Sequence, residues 1–168
     1  FHFDEERNAQ KFLDHSDLLK QYELRSDEFF VSVLVPYDSR GSWSGEKIIV
    51  SEKAKNFELN KEPIASLTRA SIRIQKMISF WSHTPQTEDA LADVRGCMLS
   101  VGLGEAPLLR QATFTIWENI KSLELYSKKG AHLDALRKAY QGNYFSESMF
   151  VRFRTKSMRG TWKGRNFD

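Results

Sequence analysis

Cysteine is nearly absent from this chain of 168 residues. Cys97 stands alone, which excludes an internal disulfide and fits a reducing compartment, so a cytoplasmic location is expected. There is no C-x-x-C pair and no H-E-x-x-H, which argues against a structural zinc site. Long apolar runs are missing, so no spanning helix is expected. The 25 Lys and Arg residues are dispersed and the net charge is only +3, so nucleic acid is not an expected partner. No nucleophile triad and no paired catalytic carboxylates stand at a recognisable spacing, which ranks hydrolases low.

What the chain does have is an imperfect repeat. Arg40-Gly41-Ser42-Trp43-Ser44-Gly45 recurs as Arg159-Gly160-Thr161-Trp162-Lys163-Gly164. A strand-like run precedes each, Phe29 to Ser39 and Ser148 to Ser157, and a charged helix-like stretch precedes each strand. Phe1-His2-Phe3-Asp4 lines up with Thr115-Ile116-Trp117-Glu118, which predicts that the chain opens on a strand fragment. Two copies of one unit imply one architecture used twice. The first copy then holds only the back half of the unit. The expected organisation is residues 1–45 as that half, 46–62 as a polar connection, and 63–168 as a complete second copy.

The second copy can be read element by element. Ile64 to Arg73 alternates with period two, as a strand does. Ile74, Met77, Ile78 and Trp81 stand at helical spacing. Thr87 to Val94 reads as a further helix, with acids near its start. Cys97 to Val101 reads as a strand, Gly102 to Pro107 as a turn, and Leu109 to Trp117 as a strand. Asn119 to about Tyr140 reads as a long helix loosened at Gly130, and the last strand begins near Ser146.

That order is β-α-β-β-α-β, the ferredoxin-like split unit. The expected fold class is α+β: tandem ferredoxin-like repeats of the dimeric α/β barrel type, with antiparallel sheets and helices on the outer faces. Alternation suggests Ala112, Phe114 and Ile116 under the helices, with Met149, Val151 and Phe153. Gln111, Thr113, Thr115 and Trp117 are expected opposite, with Leu67, Arg69, Ser71, Arg73, Phe150, Arg152 and Arg154. Facing a second sheet, that mixed wall would line a polar cavity.

The copies differ at one informative place. The step that leads from Trp117 to His132 leads from Phe3 to Leu18. A histidine matched by leucine is not needed by the fold alone, so His132 is the first functional candidate.

Several runs resemble the spheroidene monooxygenase family, bacterial carotenoid ketolases. They are Leu67-Thr68-Arg69-Ala70-Ser71-Ile72-Arg73, Phe80-Trp81, the long run from Gly102 to Trp117, and Lys128-Lys129-Gly130-Ala131-His132. The tails Phe150 to Arg154 and Gly160 to Gly164 fit the same family. The resemblance implies a haem-dependent monooxygenase of the dimeric α/β barrel superfamily that oxidises a carotenoid or similar apolar small molecule with O2. It implies haem b, an electron donor such as ferredoxin, and His132 as proximal iron ligand. It leaves open a homo-oligomer and a peripheral contact with the inner membrane.

On that basis His132 is the metal candidate, preceded by small residues that would let a flat macrocycle approach. There is no C-x-x-C-H motif, so the haem is expected to be non-covalent. Arg69, Arg73 and Arg152 are candidates for binding the haem carboxylates, with Arg154 on the same expected face. The bland reading of these arginines is a solvated sheet face. Gln111 and Thr113 are the candidate catalytic hydrogen-bonding groups. His83, at a helix end, reads as a cap or loop residue, and His2 and His15 as surface. Trp43 and Trp162 read as architecture. Two other functions compete: a cofactor-free monooxygenase of the same barrel type, and a non-enzymatic haem or lipid binder.

Overall fold

The computed structural model describes residues 1–50, 61–83, 91, 94–106, 108–128, 137 and 139–168. In chain order these form α1 (Glu6–His15), α2 (Asp17–Arg25), β1 (Phe30–Gly41), β2 (Ile64–Ile72), a 3-10 turn (Ile74–Lys76) and α3 (Met77–His83). There follow β3 (Cys97–Ala106), β4 (Arg110–Trp117), α4 (Ile120–Ser127), β5 (Phe145–Trp162) and β6 (Arg165–Asn166). The strand order is β1-β5-β2-β4-β3, with β6 paired to β5. The β2·β4, β2·β5 and β3·β4 pairs are antiparallel, which with the helices gives the ferredoxin-like α+β arrangement. No helix among the described residues is long and apolar enough to cross a membrane.

The chain divides into two compact units, Phe1–Leu34 with Thr155–Asp168, and Val35–Arg154. Strands β1 and β5 run through both. In the first unit Ser16 separates α1 from α2 and caps α2, its hydroxyl accepting from Leu19 N at 3.3 Å. Phe1 and Phe3 do not form the expected strand fragment. Their rings pack on Phe12 of α1, with centroids 4.6 and 5.4 Å away. The Glu28 carboxylate accepts from the backbone N–H groups of Lys163 and Gly164 at 2.7 and 2.6 Å. That closes the turn after β5.

The second unit has the same kind of turn after β1. Glu147 accepts from Ser44 N, Gly45 N and the Ser42 hydroxyl at 2.9, 3.0 and 2.8 Å. The turn needs Gly41, whose φ is +79 and whose absent Cβ would collide with the Ser148 carbonyl. The core of this unit gathers Tyr37, Ile64, Leu91, Trp117 and Leu123, with Val35, Val94, Cys97, Ile120 and Tyr126 packed against it. Asn119 caps α4 by accepting from Ser122 N at 3.1 Å, and this fixes the helix start directly after β4.

Three boundaries differ from the sequence reading. Gly102 to Ala106 is strand, not turn: Gly102 and Gly104 pair with Thr113 and Gln111, and the reversal comes at Leu108, with φ +66. β5 is an unbroken strand of 18 residues. Ile74 to Lys76 is a 3-10 turn that leads into α3. The expected helix from Thr87 to Val94 lies largely outside the described residues, within which Leu91 is helical and buried. The long helix expected to Tyr140 appears as α4 and a helical stretch at 139–141, with the Gly130 region outside.

The face assignment needs correction. Opposed residues in an antiparallel ladder share a face. Ile64, Ser66, Thr68 and Ala70 oppose Trp117, Thr115, Thr113 and Gln111 on one side, and Arg154, Arg152, Phe150 and Ser148 on the other. The even positions of β2 therefore share the Thr113 face; Leu67, Arg69 and Ser71 lie on the reverse. The α4 helix is also on the Thr113 side, since Trp117 stacks on Tyr126 at 5.2 Å and clusters with Leu123. Phe114 and Ile116 are on the side away from α4, with Ala65, Val151 and Met149, of which all but Phe114 are fully or nearly fully buried.

Candidate functional site

The strand period of two and the position of α4 together build a cavity of about 520 Å3 within the second unit. Its floor is the polar side of the sheet: Ser66 and Thr68 of β2, Thr113, Thr115 and Trp117 of β4, and Phe150 and Arg152 of β5. Its opposite wall is Leu123, Tyr126 and Ser127 of α4, with Leu91 and Tyr140. The rim carries Asp38 and Arg40 at the end of β1. The cavity thus lies between sheet and helix, and its wall combines aromatic surface, hydroxyls and two arginines. That mix suits a ligand with a broad apolar body and a few polar or anionic groups.

Local bonds decide which of these groups are committed. The Trp117 indole N–H donates to the Thr115 hydroxyl at 2.8 Å, and both side chains are buried. Asp38 faces Arg40 at 3.7 Å, so its charge is met at the rim. Arg152 sits beside Tyr37. Burial pushes the Tyr37 hydroxyl up to about 12, and the Arg152 guanidinium pulls it the other way. Arg154 is held by both oxygens of Glu62, at 2.7 and 3.1 Å, which is the bidentate geometry guanidinium favours.

The structure brings some of the expected residues together and separates others. Thr113 and Arg152 line the cavity. Gln111 is on the same sheet face, opposite Ala70 and nearer the β3–β4 turn, outside the cavity wall. Arg69 lies on the reverse face, its guanidinium 3.9 Å from the centre of the Trp43 ring, where it makes a cation–π contact. Arg110 approaches the same ring at 5.6 Å. Arg73 follows β2, its backbone N–H bonded to Tyr144 O at 2.8 Å, and does not line the cavity. His132 lies outside the described residues. The segment that contains it joins Ser127 to Tyr140, and both of those line the cavity. His83 is the last residue of α3, and Leu18, which the sequence alignment of the two runs sets against His132, is exposed on α2.

Sequence reasoning missed Asp38, Arg40, Tyr126 and Tyr140 as wall residues. Asp38 and Arg40 come from β1, distant in sequence from β2, β4 and β5, and only the strand pairing carries them to this cavity. Tyr126 and Tyr140 had a signal: both fall in the stretch from Asn119 to Tyr140 that the sequence pattern reads as one helix.

No family model matches the chain. It is 41% identical over 165 residues to spheroidene monooxygenase of Rubrivivax gelatinosus, covering 98% of this chain and 62% of that protein. It is 30% identical over 165 residues to the enzyme of the same name from Rhodobacter capsulatus, covering 68% of that protein. The chain thus spans roughly two thirds of the length of these relatives. Among solved structures, a putative monooxygenase from Fusobacterium nucleatum aligns with a TM-score of 0.54 at 9% identity, over 82% of this chain and 56% of that one. At that identity the likeness concerns the fold.

Proposed function

The chain belongs to the spheroidene monooxygenase family, and on that premise we propose that it takes part in oxygenating a carotenoid, or a similar long apolar molecule, with O2 and a bound haem b. The observation that carries the haem reading is the cavity between sheet and α4. Its wall offers Phe150 and Tyr126 to a flat apolar ring system and Arg152 to an anionic substituent. The one carboxylate among the described lining residues, Asp38, faces Arg40 at the rim, which leaves the charge of Arg152 for an anionic group.

In this reading His132 holds the iron. Its segment is bracketed by Ser127 and Tyr140, both on the cavity wall. Arg152 meets a carboxylate by charge-assisted hydrogen bonds. Arg69 and Arg73 have no part in it, because one faces the other side of the sheet and the other lies outside the wall. The Thr113 hydroxyl offers a hydrogen bond to a polar group in the cavity, whereas that of Thr115 already accepts from Trp117. The haem, when bound, supplies the oxygen activation, and electrons come from a donor such as ferredoxin. The chain's part is to bind, to orient and to exclude water.

The two turns also support a tandem architecture. Glu28 stands to Lys163 and Gly164 as Glu147 stands to Ser44 and Gly45, with the same sequence offset throughout.

Reconstitution with hemin tests the cofactor: a Soret band and a b-type pyridine haemochrome are expected. A folded preparation that stays colourless sinks the haem reading and favours the cofactor-free alternative. Turnover of a carotenoid by the coloured protein then separates an enzyme from a passive haem binder.

A further inference from the structure

The end of the sheet where β2 stops and β4 and β5 begin carries exposed apolar side chains that the cavity does not use. Ile74 and Ile78 are 70% and 82% exposed. They stand one helical turn apart, and Trp81 continues the same stripe. The Trp81 indole N–H donates to Leu108 O at 3.0 Å, which sets the half-exposed Leu108 beside it.

Short bonds make this end one surface. Ile72 N donates to Leu109 O at 2.7 Å and Arg73 N to Tyr144 O at 2.8 Å, and the Ser79 and Tyr144 hydroxyls are 2.8 Å apart. Lys76 is an exposed cation within the stripe, whereas Arg73 has its Nε buried and Arg110 lies by the Trp43 ring with the charge of Glu147 close by. An apolar stripe with an indole at its edge and the exposed ammonium of Lys76 between Ile74 and Ile78 matches the boundary between acyl chains and anionic headgroups.

The same surface is joined to the cavity. Trp81 packs edge-on to Phe80 at 5.3 Å, Phe80 to Phe145 at 5.9 Å, and Phe145 to Tyr140 at 5.7 Å. Tyr140 is on the cavity wall. The aromatic contacts therefore run without a break from the exposed helix to the cavity.

We propose that α3 and the β3–β4 turn form a docking face for an anionic lipid surface.

The test uses the purified chain without haem or carotenoid. It is sedimented with vesicles of phosphatidylcholine alone, or of phosphatidylcholine with phosphatidylglycerol. Binding to the anionic vesicles is expected, and the double variant Ile74→Glu/Ile78→Glu is expected to lower the partition coefficient about tenfold or more. Brominated acyl chains supply a second reading on the parent protein: they are expected to quench a component of its fluorescence that Trp81→Phe removes. A parent chain that stays in the supernatant, a variant that binds equally well, or quenching untouched by Trp81→Phe overturns the proposal. So does a parent dimer that the double variant converts to monomer, because a second copy then covers the face. Vesicle binding by a protein that takes up no hemin leaves the docking face standing and sinks the haem reading instead.

Discussion

Replacing Thr115 by valine removes the hydroxyl that receives the Trp117 indole N–H and changes little else in shape. Thr115 is 6% exposed and Trp117 1%, so water does not replace the lost acceptor. The hydroxyl's other contact, to Ser66 O at 3.5 Å, is at the limit of a hydrogen bond and adds little. A buried donor left without a partner costs about 1–3 kcal/mol, and Thr115→Val should destabilise the fold by that amount. The sharper form is a double-mutant cycle. In Trp117→Phe the donor is already gone, so Thr115→Val orphans nothing and should cost much less. The two changes should therefore couple by about 1 kcal/mol or more, where distant sites agree within roughly 0.3–0.5 kcal/mol. Urea unfolding of the four proteins, followed by circular dichroism, measures this directly. Additive costs would refute the reasoning, because they would mean that the indole finds another acceptor or that the bond carries no net stability.

Three further outcomes follow from the geometry. Gly41→Ala should be strongly destabilising, since the alanine meets both a positive φ and the Ser148 carbonyl, whereas Gly45→Ala meets only the positive φ; comparison of their urea midpoints checks this. The backbone N–H groups of Gly45 and Ser44, with the Ser42 hydroxyl, hold the Glu147 carboxyl below its usual range. Its contribution is present above the ordinary glutamate pKa and lost as pH falls through the lowered one, so Glu147→Gln should flatten the acid side of the stability profile. Burial raises Tyr37 to about 12 from an ordinary 10.0, so its part in stability is full below pH 10 and lost as pH rises through about 12. In a spectrophotometric titration of tyrosinate, the parent and Tyr37→Phe should differ only near the upper value.

The strand periods were legible in the sequence because each strand declares its own alternation. β2 and β4 lie within a residue of where that alternation put them. The relation between strands was not legible. A shift of one residue moves every side chain to the other face, and no single strand carries the register. That is how Arg69 was placed with Thr113, when Ser66 and Thr68 are its true neighbours. The choice of helix side failed for a related reason. Phe114 and Ile116 make the more apolar stripe, but α4 presents Leu123 and Tyr126 to Trp117 on the other. The glycines at 102 and 104 hid a strand by looking like a turn. The contribution of Asp38 and Arg40 depends on residues far away in the chain, which local pattern does not reveal. The two similar turns, by contrast, were plain as a recurring motif, because each needs glycine where φ is positive and a carboxylate to receive the freed N–H groups.

The central proposal is that this chain binds haem b with His132 as the iron ligand. The direct measurement is the absorption spectrum of the hemin-reconstituted protein, of His132→Ala and of the control His83→Ala. A Soret band in the parent and in His83→Ala, lost or greatly weakened in a folded His132→Ala and partly restored by added imidazole, is the predicted result. A band that survives in His132→Ala and disappears in His83→Ala contradicts it.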